Sequence, residues 1–120
     1  MANKRLDLVF STLSDATRRA VVEQLAGGPA SVSELAAPHD MALPTFMRHL
    51  KVLETAGLVR SVKKGRVRTC HIEAAPLMEV QGWLAWQRQV WEQRLDRLDA
   101  MTRASDTDED KDKDKDERTA

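Results

Sequence analysis

The feature that most narrows what this chain can become is a change of period in its middle. Phe46, Met47, Leu50, Leu53 and Ala56 keep helical spacing. Pro44 suits the first turn of that helix and Gly57 its C-terminal cap. Immediately after, Leu58–Val62 and Arg66–Ile72 are rich in Val, Thr and Ile, with Lys64-Gly65 between them. That pattern predicts a two-stranded hairpin. Pro76 then opens a last helix expected to run to about Met101. The chain therefore reads as mainly α with a small β-hairpin.

The N-terminal part reads as three further helices. Leu6, Val9, Phe10 and Leu13 give a short first one. Ser14 or Asp15 can cap the second, whose apolar face is Ala16, Ala20, Val21 and Leu25; Gly27-Gly28-Pro29 ends it. Ser31 and Glu34 match a capping box, so a third helix starts near Ser31–Ser33 and closes at Pro38.

Charge is distributed unevenly along the chain. The 120 residues carry 19 bases and 19 acids, a formal net charge of zero. Residues 106–120 hold eight acids and four bases, leaving residues 1–105 with a net +4. Within 44–72 stand seven bases (Arg48, Lys51, Arg60, Lys63, Lys64, Arg66, Arg68) and one acid, Glu54. So concentrated a positive field suits a polyanion such as DNA. The stretch 105–120 has no large apolar residue and is expected to be a disordered charged tail, leaving 1–104 as one domain. No segment is apolar enough for a membrane span, and the first residues contain no apolar signal region, so a cytoplasmic protein that binds no membrane is expected. The single cysteine, Cys70, excludes an intrachain disulfide framework.

The last helix carries more apolar surface than one small domain needs. Leu77, Val80, Leu84, Trp91, Leu95 and Leu98 form a stripe that Trp83, Trp86 and Val90 widen. At about 1.5 Å per residue, the helix is roughly 40 Å long. A second subunit is the simplest outlet for that face. The expected dimerisation residues are Leu6, Phe10, Leu84, Trp91, Leu95 and Leu98.

Helix, short helix, tight connection, helix, basic hairpin and long helix describe a winged helix-turn-helix with a C-terminal dimerisation helix. Helix 44–56 would enter a major groove while the hairpin reaches adjacent backbone. Asp15-Ala16-Thr17-Arg18-Arg19, Ser33-Glu34-Leu35-Ala36, the run Arg48-His49-Leu50-Lys51-Val52-Leu53-Glu54-Thr55-Ala56-Gly57-Leu58-Val59, and Gly65-Arg66-Val67-Arg68-Thr69 resemble the ArsR (arsenic-repressor-like) family. The resemblance covers about residues 5–100. It implies a homodimeric bacterial transcriptional regulator, usually a repressor, associated with the nucleoid when DNA-bound. By the same resemblance, Thr45, Arg48 and His49 contact base edges or phosphates, and Lys51 contacts the DNA backbone. Lys63, Lys64, Arg66 and Arg68 are the wing's phosphate contacts, in hairpin 60–72. His49 could instead pack against the neighbouring helix, and Arg48 could pair with an acid. Arg18 and Arg19 could touch backbone or stabilise the dimer. Ala42 and Met47 depart from the pattern, standing where relatives often carry hydroxyl residues.

No metal site or cofactor is expected. Where metal-responsive relatives place thiolates around the third helix, this chain has Ser31, Ser33 and Ala36, and the last helix has no His. Cys70-His71 reads as a half-buried strand thiol beside a solvated imidazole, since strand neighbours face opposite ways. No nucleophile motif, phosphate loop or carboxylate pair points to an enzyme. The competing reading is a protein-interaction module that docks a partner through the Trp-rich last helix. Any small-molecule effector is left open by the sequence.

Overall fold

The computed structural model describes residues 3–109 of the chain. Its elements, in order, are α1 (Lys4–Thr12), α2 (Ala16–Ala26), β1 (Ala30–Ser31), α3 (Val32–Ala36), α4 (Leu43–Thr55), β2 (Val59–Lys64), β3 (Val67–Ile72) and α5 (Ala75–Glu109). The fold is a winged helix-turn-helix with a long last helix, as the periodicity predicts.

Side-chain caps fix most of the helix starts, because the first turn of a helix leaves backbone N–H groups without intrahelical partners. The Asn3 side chain accepts from the backbone N–H groups of Arg5 and Leu6, each at 3.1 Å. Asp15 accepts from the N–H of Arg18 at 3.0 Å. Ser31 and Glu34 form the full capping box, at 3.1 and 3.3 Å. α4 is the exception: Ala42 occupies its N-cap with no side-chain hydrogen bond, and Pro44 in the first turn is the start signal that remains.

The sheet has one strand more than the expected hairpin. β2 and β3 pair antiparallel from Val59 opposite Ile72 to Lys64 opposite Val67. β1 joins the other side of β3, with Ala30 opposite Cys70 and Ser31 opposite Thr69, giving the order β1-β3-β2. Two residues show no period of 2, so β1 is invisible to pattern reading. The turn also moves by one residue: Gly65 and Arg66, not Lys64 and Gly65, stand between the strands. Gly65 has φ +61°, the left-handed conformation that the first central position of such a tight turn demands.

The chain divides into two compact units. The first, through Gly82, holds the core. Val9, Val21, Leu25, Leu35, Phe46, Leu50, Leu53, Leu58, Val59 and Cys70 are buried there. Leu77 and Val80, on the first turns of α5, pack against this core, and Arg5 pairs with Glu79 at 3.0 Å. The second unit is α5 from Trp83 onward. Leu84, Trp86, Trp91, Leu95, Leu98 and Met101 are all exposed there, Leu98 at 58% and Trp86 at 63%. Arg94 lies 5.5 Å from the Trp91 ring centroid, and Arg88 pairs with Glu92 one turn on. α5 continues past its expected end near Met101 to Glu109, over the first residues of the expected tail. The remainder of that tail lies outside the described residues. Among the described residues, no helix is long and apolar enough to cross a membrane.

Candidate nucleic-acid interface

α4 is an amphipathic helix held by one side. Phe46, Leu50 and Leu53 recur at intervals of four and three residues, and all are at most 1% exposed. The remaining face is therefore set: Thr45, Arg48 and Lys51 are exposed on it. Met47, one of the sequence's departures from the family pattern, is half-buried.

The wing stands beside this helix through the buried Leu58 and Val59 and a contact from the segment's one acid. The Glu54 carboxylate accepts from the Ser61 hydroxyl at 2.7 Å, tying the end of α4 to β2. Glu54 lines a small pocket with Lys51 and Arg68 without forming an ion pair with either. Arg60 pairs with Glu73 at 2.7 Å. Lys63, Lys64, Arg66 and Arg68 are exposed, and the register sets Lys63 directly opposite Arg68. Like charges facing across a strand pair are destabilising. Among the described residues, no acid lies within ion-pair distance of Arg48, Lys51, Lys63, Lys64, Arg66 or Arg68. The ion pair that the sequence allowed for Arg48 is thus not formed.

α3, α4 and the wing enclose an open groove of about 370 Å³. Lys63, Arg66 and Arg68 line it together with Ser31, Ser33 and Met47. Sequence reasoning overlooked the two serines as part of this surface, since only the pairing of β1 with β3 brings them to the wing.

His49 is placed differently from Arg48 and Lys51. Its side chain is 20% exposed and faces the start of α2, with Nδ1 3.1 Å from Arg18 Nη1 and 3.6 Å from Asp15 Oδ2. Of the two placements open from sequence, the structure shows packing against the neighbouring helix. Arg18 and Arg19 both reach back to the end of α1. Arg18 Nε donates to the Thr12 carbonyl at 2.6 Å, and Arg19 Nη1 donates to the Leu13 carbonyl at 2.8 Å. Both satisfy carbonyls at the end of α1, where helical partners run out. The Arg18 N–H bonded to the Asp15 carboxylate holds that group below the usual carboxylate range. Desolvation opposes this, and the charge of Arg18 and the backbone N–H of Thr17 add to it.

The other titratable candidates are structural in their surroundings. His39 stacks on Phe46, with centroids 5.5 Å apart. Cys70 is fully buried in the central strand, and burial pushes its thiol pKa up. A raised pKa and no exposure make it a poor nucleophile. Among the described residues, no group of three or more His, Cys, Asp or Glu side chains could hold a metal ion.

Comparison with known proteins agrees with this geometry. Residues 13–62, from the end of α1 through most of β2, match a helix-turn-helix domain family. The chain is 42% identical over 71 residues to the HTH-type transcriptional regulator Rv2034 of Mycobacterium tuberculosis, covering 59% of this chain and 66% of that protein. It is 26% identical over 76 residues to the transcriptional repressor SdpR of Bacillus subtilis, covering 63% of this chain and 84% of SdpR. The crystal structure of the ArsR family transcriptional regulator RHA00566 superposes with a TM-score of 0.72 at 53% identity, covering 77% of this chain and 97% of that one. With a basic helix and wing on one face, and that identity along nearly all of a solved relative, the chain belongs to the ArsR family of transcriptional regulators.

Proposed function

We propose that the chain works as a homodimer that reads a near-palindromic operator and represses transcription from it. The observation that carries this reading is the arrangement of cations on the α4 and wing face. Thr45, Arg48 and Lys51 stand beside four wing bases, and the one acid of the segment accepts a hydrogen bond from Ser61. A surface that sets Lys63 opposite Arg68, with no acid among the described residues in ion-pair range of either, attracts a polyanion.

In this reading α4 lies in the major groove. Thr45 and Arg48 contact base edges or phosphates, Lys51 contacts the backbone, and Lys63, Lys64, Arg66 and Arg68 take phosphates. The exposed side of α5, with Leu84, Trp91, Leu95 and Leu98, is covered by the same side of a second copy, and Leu6 and Phe10 of α1 join the interface. Two copies would present their α4 helices to half-sites about one helical turn, ~34–36 Å, apart. Repression follows from occupancy of the operator, and SdpR, a relative, is named a repressor. The charged segment 105–120 serves solubility rather than DNA binding.

Titration of mixed-sequence duplex DNA over a range of salt concentrations, with the mass of the free protein measured alongside, tests this. The expected result is a dimer whose affinity falls steeply and linearly on a log–log salt plot. A monomer without affinity at low salt would overturn it and favour a protein partner for the Trp-rich helix.

A further inference from the structure

The apolar contacts of α4 do not by themselves fix which way the helix faces. Phe46, Leu50 and Leu53 are buried, but hydrophobic burial has no direction, and a helix seated on it alone is free to roll by a few degrees. Among the described residues, a side-chain hydrogen bond joins α4 to the preceding helices: Arg18 Nη1 to His49 Nδ1, at 3.1 Å. A guanidinium has donors and no acceptor. The contact is a hydrogen bond when His49 Nδ1 accepts, the tautomer in which the ring proton sits on Nε2. Asp15 Oδ2, at 3.6 Å, is beyond hydrogen-bond distance of that nitrogen and already accepts the Arg18 backbone N–H.

Arg18 is itself anchored. Its Nε donates to the Thr12 carbonyl at 2.6 Å and its Nη2 lies 3.4 Å from the Ser11 carbonyl, both at the end of α1. The guanidinium thus spans the α1–α2 corner and ends on a side chain in the middle of α4. His49 follows Arg48 directly, so the bond that holds His49 inward also sets the angle at which Arg48 leaves the helix.

We infer that His49 is a positioning residue for DNA reading: by accepting from Arg18, together with the Glu54–Ser61 bond at the other end of α4, it fixes the rotational setting of the helix and pre-aims Thr45 and Arg48. This rests on the DNA-binding reading above. Its effect falls on discrimination between sequences, because phosphate attraction tolerates a small roll of the helix and base-edge contacts do not.

Two substitutions separate this from a direct contact between His49 and DNA. In His49→Asn the amide oxygen can occupy the place of Nδ1 and accept from Arg18. In His49→Gln the amide reaches the place of Nε2 and leaves Arg18 unanswered. Affinity of the full chain is measured for a duplex selected by the wild type and for mixed-sequence duplex, and the ratio is compared. The expected result is a ratio near wild type for His49→Asn. For His49→Gln a fall of roughly tenfold is expected, the lower range for one charge-assisted hydrogen bond. Thermal unfolding of each variant confirms that it is folded. Long-range ¹H–¹⁵N spectra of the free wild type should show the His49 proton on Nε2. The reverse order, with Gln retaining and Asn losing discrimination, would overturn the inference in favour of a DNA contact through Nε2. Equal ratios for both variants, high or low, or a proton on Nδ1, would also overturn it. A wild type that prefers no duplex sequence overturns the DNA reading itself and the inference with it, an outcome distinct from a discriminating wild type with discordant variants.

Discussion

Neutralising one charge pair on the wing should weaken DNA binding and strengthen the fold at the same time. The pair is Lys63 and Arg68, which the β2–β3 register sets opposite each other with no acid among the described residues in ion-pair range. Changing both to Gln removes two phosphate contacts per chain in the DNA-bound reading. Each contact contributes about 0.9 to the slope of log affinity against log salt, so the slope should flatten by about 1.8 per bound chain and roughly twice that per dimer. In the free protein the same change removes a like-charge pair. Cross-strand pairs are worth roughly 0.2–1 kcal/mol, and the lower part of that range applies to side chains as exposed as these. Urea unfolding at low salt should show a gain of that size, shrinking at high salt as screening removes the repulsion. Binding titrations at several salt concentrations supply the other half. An unchanged salt slope would refute the phosphate role of these two residues, and a loss of stability would refute the claim that they repel each other.

Other consequences follow from individual side chains. Ala42→Ser supplies the side-chain cap that α4 lacks, and should raise stability by about 1 kcal/mol in urea unfolding. Asp15→Ala removes the α2 cap and should cost about 1 kcal/mol. Because the folded pKa of Asp15 is depressed, its stabilisation is complete above the ordinary carboxylate value and is lost as pH falls through the lower folded value. Acid unfolding curves of Asp15→Asn should lack that component. Cys70, buried in the central strand with a raised pKa, should react with a thiol reagent only as fast as the protein opens, so that labelling tracks denaturant. Leu95→Glu with Leu98→Glu should give a monomer by sedimentation with unchanged thermal stability of the first unit, and lose affinity for a two-half-site duplex far more than for a single half-site.

Most of the helical frame was legible because its boundaries are local chemistry. Asp15, the Ser31–Glu34 box, Pro44 and Gly57 each act on backbone groups within a few residues, so their positions alone announce them. The wing was legible through its β-branched composition, although its turn lies one residue later than the strand lengths implied. β1 was not, because a two-residue strand is defined by its partner, Cys70 and Thr69, and not by its own pattern. The end of α5 was missed for a related reason: charged residues past Met101 mark no helix terminus, and the helix runs through them to Glu109. At the candidate interface, exposed cations could be read from charge density. The inward turn of His49 could not, since the group that draws it in, Arg18, is 31 positions away in sequence. Asp-x-x-Arg at the head of α2 reads as a cap; that the Arg also reaches the recognition helix appears only in three dimensions.

The most direct test of DNA reading by paired α4 helices is selection of bound fragments from random-sequence duplex DNA, using the full chain. Two inverted copies of one short motif, centred about one helical turn (~34–36 Å) apart and bound by two chains, are the predicted result. Recovery of fragments with no shared motif would contradict sequence-specific reading by α4 and leave only the charge attraction of the wing.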